Sequence, residues 1–561
     1  MKTRCFIVLI LLVGLMSICN AQNVITETIT VNQATLTAIR SSLVWGSNNY
    51  DPILSGLQQR SNDDIEIEGE ISPLTPPTGY VRITQAANNL NSVLFEYPTN
   101  QQFFNTAIIT PINNISSVEE IMNYFTGFGY QIGEIEEAAR RGLNLANITI
   151  NASYVYDCLY YKQDTDTLII SAVGTLRQVM LVCLGLLEDA EDFYDGIYAG
   201  NTSGYLQFQH GFWAKDFRTT AQGDLFGEPP YPGLNLHQYR LDMYGAAGLA
   251  ALLIAETSED DPMLQAEMLN MVDYIDTKLE EFVMPQVFPE ESRKIGMLAF
   301  HTSNSGGYNE SIRYAGYVLK YLTPYFVARQ RLSSGSKNYF NNPYVAFWIN
   351  DMAKKVVPAG GSMGKNWNYN DGGYSTSFTP GVLLFFYHAG NDLLTEKNNA
   401  AWLVNCSRNS NGDYYYAEFE RIDLLIASPF IMRYSSEPSC SPKISEVSIL
   451  PDFIQNGAWS NSEFSILRPP TNSKTEFLTS ASLNVVHENS WGSAHTHADQ
   501  SSYTYYHAGE RFLLDSSSGS FTDHHTWRVS PYAHNMVIID PQPDVGYQVD
   551  PLYRPVSGSS P

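Results

Sequence analysis

The chain has 561 residues, 44% of them hydrophobic and 16% charged, enough apolar material for several packed cores, and this excludes global disorder. A formal charge of −25 argues against nucleic acid as a partner. It would also repel an acidic polymer at long range unless a locally positive or metal-bearing cleft received it. At about 150 residues per domain the length allows two to four units.

Taken in chain order, Lys2 and Arg4 precede the apolar run Phe6 to Met16, and Cys19-Asn20-Ala21 places small residues where a leader is cleaved. Residues 1–21 therefore read as a secretory signal, and the mature chain is expected to be secreted, extracellular or, in a bacterium, periplasmic. The 33 basic residues less Lys2 and Arg4, against 58 acidic ones, give the mature chain a formal charge of −27. No later stretch reads as the ~20 uninterrupted apolar residues of a membrane span; Leu249 to Ala255 is too short. Outside the leader remain Cys158, Cys183, Cys406 and Cys440, which in an oxidising compartment predict one or two disulfides of open pairing. Asn114, Asn147, Asn151, Asn201, Asn309 and Asn405 begin Asn-x-Ser/Thr sequons, glycan acceptors where the source glycosylates.

Residues 22–101 are rich in Thr, Asn, Pro and β-branched side chains, with Pro73 to Gly79 as a turn-rich interruption, and are expected to form an irregular or β-rich segment. Helical periods follow at Val118 to Tyr130, Thr167 to Ala190, Leu236 to Glu256, Met263 to Phe282, Ser311 to Leu332, Pro343 to Val357 and Pro380 to His388. Helices of moderate length without heptads predict helical hairpins arranged as a toroid or solenoid over residues 102–435. Beyond about Cys440 the texture turns to short β-rich runs: Ser480 to His487, Ser501 to His507, Arg511 to Asp515 and Asn535 to Asp540. Residues 436–561 are thus expected to form a sheet domain, and Pro561 falls early for a closed sandwich, so that either the product is truncated or its sheet is small.

Seven of the eleven histidines (His487, His495, His497, His507, His524, His525, His534) lie in residues 487–561. In His495-Thr-His497-Ala-Asp499 the alternation of a strand puts three potential ligands on one face, a set able to bind zinc or to divide work between a ligand and a proton carrier. The plain alternative is an exposed polar strand face. Tyr505 to Asp515 reads as a hairpin returning a carboxylate beside the first strand, and Arg528 to Asp540 carries His534 into a third. The run Asn366-Trp367-Asn-Tyr369-Asn-Asp371 offers rings that could stack on pyranoses, as could many of the 36 tyrosines.

Taken together, His-x-His-x-Asp, Gly followed by Leu-Leu-Asp, and Arg-x-Ser-x-x-Ala-His-Asn-x-Val-x-x-Asp resemble the sheet domain of heparinase II/III-like proteins and related alginate lyases. The resemblance implies a multidomain α+β chain, an incomplete α/α toroid followed by an antiparallel β-sandwich, that cleaves a uronic-acid-containing polysaccharide by β-elimination. It implies that His495 faces the substrate while His497, Asp515 and His534 hold a structural zinc. In the helical half, Gly306-Gly-Tyr308-Asn-Glu310-Ser-Ile-Arg313-Tyr314-Ala-Gly-Tyr317 is similar to the family's Asp-Gly-x-Tyr-x-Glu element and following Tyr-x-x-Tyr, with Ser305 where Asp is usual. Tyr314 would be the catalytic phenol, and Tyr308, Glu310, Arg313 and Tyr317 would line the cleft. Asn235-Leu-His237-Gln-Tyr-Arg240-Leu-Asp242 is similar to the family's Asn-His helix start, although Leu236 holds the usual Asn position and Asn235 stands one place early.

β-Elimination must neutralise the uronate carboxylate while the C5 proton leaves, which the resemblance gives to His237 with Asn235 or Arg240. Tyr314 and His495 would then act as base and acid. Two other readings share the fold: a non-catalytic glycan-binding protein and a uronyl C5-epimerase. The expected partner is an acidic polysaccharide, with neither nucleic acid nor a membrane span involved.

Overall fold

The computed structural model describes residues 77–95, 105–126, 135–160, 167–198, 238–280 and 312–342, positions 349 and 396, and six short strands. Its helices are α1 (Thr78–Phe95), α2 (Thr110–Asn113), α3 (Glu119–Thr126), α4 (Ile135–Tyr160), α5 (Thr167–Tyr198), α6 (Gln238–Glu256), α7 (Pro262–Lys278) and α8 (Ile312–Leu332). A π-turn at Asn105–Ile109 leads into α2. The strands are β1 (Val356–Val357), β2 (Lys365–Asn366), β3 (Ser465–Leu467), β4 (Phe477–Ser480), β5 (Tyr503–His507) and β6 (Glu510–Leu513).

Helix α6 is apolar all round: every residue from Leu241 to Ala255 is buried, so it must be covered on all sides. It packs against α4, α5, α7 and α8. The tightest approach is to α8, where a Cβ on Gly245 would strike the Tyr321 carbonyl and one on Gly248 would lie 2.7 Å from the Tyr325 ring. Because Gly245 meets Tyr321 and, three residues on, Gly248 meets Tyr325, the two helices run in the same direction. Helix α4 joins them in parallel. The Tyr321 hydroxyl donates to Asn147 Oδ1 at 2.5 Å near its middle, and Tyr156 near its end shares a 2.6 Å hydrogen bond with Thr257, just past α6.

The flanking helices run the other way. Thr149 of α4 neighbours Cys183 of α5, whereas Arg177, earlier in α5, reaches Ser258 Oγ at 2.6 Å beyond the α6 C-terminus. Gln265, early in α7, donates to the carbonyl of Ala255 late in α6, so α7 runs opposite to α6. Among the described residues, α6 and α7 form an antiparallel hairpin and α5 runs opposite to α4, a helical arrangement consistent with an α/α toroid. Helix α7 starts cleanly because Asp261 accepts from the Leu264 N–H at 3.2 Å and Pro262 needs no donor there. After α8 the chain reverses through Ser334 and Gly335, the latter at φ 86°, and returns Tyr339 and Phe340 against Phe326.

Strands β3 to β6 form one antiparallel sheet in sequential order, with a bulge between Tyr505 and Tyr506. The β5–β6 hairpin falls where the alternation places it. Strand β4 ends at Ser480, so the run expected from Ser480 begins as its last residue. Asn535 to Asp540 and Pro380 to His388 lie outside the described residues.

Four expectations are corrected. Thr78–Phe95, expected to be irregular or β-rich, is a helix that buries Tyr80, Ile83, Ala86 and Ala87 on one side. Ile135–Tyr160, not anticipated as a helix, forms one despite Gly142 and its Asn, Thr and β-branched residues, because Leu145, Ile148, Ala152, Val155 and Leu159 recur at helical spacing and are buried. Val356 and Val357, expected to end a helix, pair instead with Asn366 and Lys365. Finally, Thr167–Glu188 within α5 is long and apolar enough to cross a membrane, and it packs on α4 and α6 with 44% of that window buried.

Two kinds of glycine follow from this packing. Gly245→Ala should lower the urea midpoint by an amount equivalent to about 1–3 kcal/mol, the overpacking range, since the obstacle is backbone. Gly174→Ala and Gly185→Ala, within α5 and with nothing within 4 Å of an added Cβ, should instead be neutral or raise stability by about 0.5–1 kcal/mol.

Candidate functional site

Parallel packing through Gly245 and Tyr321 fixes which helix ends meet. Gln238 precedes Gly245 by seven residues and Tyr314 precedes Tyr321 by seven, so both stand about 10 Å along the same direction at a rise of ~1.5 Å per residue. Arg240 stands in the first turn of α6, and Arg313, Tyr314 and Tyr317 stand in the first two turns of α8. A helix N-terminus carries the positive end of the helix dipole, an environment suited to an anion. Just inside, Asp242 is buried at 1% exposure among apolar neighbours that include Leu241, Met243 and Tyr244.

Of the expected site residues, Arg240, Arg313, Tyr314 and Tyr317 fall within described helices. Asn235 and His237 immediately precede α6, and Tyr308 and Glu310 immediately precede α8; all four lie outside the described residues, as do His495, His497, Asp515 and His534. The β5–β6 hairpin bears on the last group through its register: Leu513 lies opposite Tyr505, so the chain leaves β6 toward the end at which β5 enters. Among the described residues no group of three metal-ligating side chains occurs.

Two polar networks were not legible in the sequence. In the first, buried Asp276 accepts from the Tyr325 hydroxyl at 2.5 Å and from Arg329 Nε and Nη2 at 3.0 and 2.8 Å. Lys337 extends it to Glu280 at 2.6 Å. Burial, reinforced by the Asp276 charge, pushes the Tyr325 and Tyr339 phenols above the ordinary range, so both remain protonated donors and neither is a base. The only sequence trace is the i, i+4 pair Tyr325 and Arg329 on an otherwise apolar face, and it becomes readable only with α7 beside it. In the second, Arg177 and Tyr156 satisfy the hydroxyls and last carbonyls around Thr257 and Ser258, at the opposite end from Tyr314.

A cleft of about 370 Å³ opens between α5, α6 and α7, floored by Leu187, Met243, Ala247 and Ile275. Its polar lining includes Glu188 and Glu267, carboxylates of the wrong sign for an acidic polymer.

Cys158 and Cys183 are both free thiols, which removes them from the disulfides expected; Cys406 and Cys440 lie outside the described residues. Burial pushes the Cys183 thiol up to about 12, against a hydrogen bond to Thr149 that lowers it.

No family model matches the chain, and no curated protein matches it. Among solved structures, that of heparinase III is similar over 92% of this chain and 71% of that one, at 12% sequence identity and a TM-score of 0.37. Likeness at that level identifies no activity.

Tyr325→Phe should lower the thermal midpoint by the equivalent of about 1–3 kcal/mol, since Asp276 would lose a donor inside the core. Neither Cys158 nor Cys183 should react with iodoacetamide in the folded chain at about pH 8, and both should once urea unfolds it. Folding favours the neutral Cys183 thiol. Its contribution to stability should therefore be complete below the ordinary value of 9.0 and fade as pH rises toward about 12, a loss that Cys183→Ala should abolish in pH-dependent melting curves.

Proposed function

We propose that the chain is a secreted polysaccharide lyase that cleaves a uronic-acid-containing polymer by β-elimination. Support comes from the two sequence elements that resemble heparinase II/III-like lyases, and the observation that carries the reading is that the helices they lead into, α6 and α8, pack directly on each other. Elements more than seventy residues apart in sequence, one holding Arg240 and the other Tyr314, open two helices that meet through a contact that only glycine permits.

In this reading Asn235, His237 and Arg240 hold the substrate carboxylate as negative charge builds on C5 and its acid group, helped by two helix N-termini. Tyr314 takes or returns a proton on one side of the ring and His495 on the other, the C5 configuration deciding which acts as base. A phenol near its ordinary value of about 10 is a weak base, so Arg313 or an imidazolium is needed to favour phenolate. Tyr308, Glu310 and Tyr317 position neighbouring sugar units. The positive helix ends meet the requirement, set by a net charge of −25, for a locally attractive surface.

Two imidazoles and a carboxylate, His497, His534 and Asp515, form a donor set suited to zinc. Such an ion would tie strands together and so steady His495. Leu236, in place of the usual Asn, favours one alternative: a non-catalytic glycan-binding protein of the same fold.

Tyr314→Phe should abolish release of unsaturated uronate, followed at about 232 nm on alginate, heparan, chondroitin and hyaluronan, with little change in thermal midpoint. Activity equal to wild type would remove Tyr314 from the chemistry. Binding without product in the wild type would favour the glycan-binding alternative, and proton exchange at C5 without cleavage an epimerase. His497→Ala should reduce bound zinc and stability together, whereas a zinc-free wild type by elemental analysis would refute the metal site.

A further inference from the structure

Three sequons fall on described residues, and the structure treats them differently. Asn147 and Asn151 sit inside α4. Asn147 Oδ1 accepts the Tyr321 hydroxyl at 2.5 Å, so a sugar on its carboxamide would have to occupy the contact between α4 and α8. Asn151 is half-buried one turn later. The hydroxyls that complete both sequons are fully buried and turned into the helix: Thr149 Oγ1 donates to the Leu145 carbonyl and Ser153 Oγ to the Thr149 carbonyl, each at 2.7 Å. Asn114 contrasts in every respect. It is exposed and caps α2 in the turn before α3, and Ser116, which completes its sequon, is exposed as well. Its neighbour Asn113 fastens the turn to α5 by donating to the Leu168 carbonyl at 2.9 Å, so the turn is held at the surface.

We propose that Asn114 is a site of N-linked glycosylation and that Asn147 and Asn151 stay unmodified in the folded protein. The donor is a polyprenyl-pyrophosphate-linked oligosaccharide. Asn114 Nδ2 bonds to its anomeric carbon, the carbon–oxygen bond to pyrophosphate breaks, the amide gives up one proton and the lipid pyrophosphate leaves. A chain that acquired a glycan at Asn147 could not close α4 on α8 and would be retained rather than secreted. The Asn147 sequon therefore belongs to the packing of the helical layer.

The test expresses the full chain behind a heterologous leader in a glycosylating secretory host, then treats the secreted protein with peptide-N-glycosidase in heavy-oxygen water and maps the peptides. The expected result is conversion of Asn114 to labelled aspartate with none at Asn147 or Asn151. Asn114→Gln should remove one glycan-sized step on a gel without loss of secretion, and Asn147→Gln should remove none. An unlabelled Asn114, or label at Asn147 or Asn151 in folded secreted protein, would overturn the assignment.

Discussion

The fold described here turns on the contact between α6 and α8. A helix buried on every face gains nothing from amphipathic orientation, so its register against its neighbours must be set by shape, and Gly245 and Gly248 supply that shape. With no Cβ at either position, α8 lies against the α6 backbone, its Tyr321 carbonyl and Tyr325 ring filling the space. Because the contact is parallel, it also decides that the beginnings of the two helices emerge side by side. The Tyr321 hydroxyl then fixes α4 in the same sense through Asn147.

The polar groups of the helical layer divide by end. Around the C-terminus of α6, Arg177, Tyr156 and Gln265 satisfy the last carbonyls and the Thr257 and Ser258 hydroxyls, so that end is closed. Along α7 and α8, Asp276 is saturated by one phenol and one guanidinium, and burial keeps the nearby phenols protonated. The first turns of α6 and α8 hold Arg240 and Arg313.

Much of the helical layer was legible from period alone. Thr167, Pro262 and Ile312 begin helices within one residue of where the apolar spacing starts, and Leu332 ends one where it stops. Helix α4 was missed because its Asn, Thr and Ile residues have weak helical preference; burial against α1, α5 and α6 outweighs it. Helix α1 was missed for a similar reason, since Pro76 and Pro77 read as a turn when they in fact precede a helix start. At the site, the i, i+3 pair Tyr314 and Tyr317 signalled a shared helix face, but nothing local tied that face to Arg240. The tie is Gly245, seven residues inside α6, and a glycine in an Ala-rich helix carries no mark of its partner.

The direction of α8 relative to α6 can be measured without reference to activity. With Cys406 and Cys440 exchanged for serine and the buried Cys158 and Cys183 left in place, spin labels at Gln238→Cys paired with Tyr314→Cys or with Leu332→Cys report the separation of each pair by dipolar coupling. Parallel packing predicts a short distance for the first pair and one longer by up to roughly 27 Å for the second, the rise of eighteen helical residues. The reverse order, with residue 332 nearer to residue 238 than residue 314 is, would contradict parallel packing and leave the proposed site without its shared end.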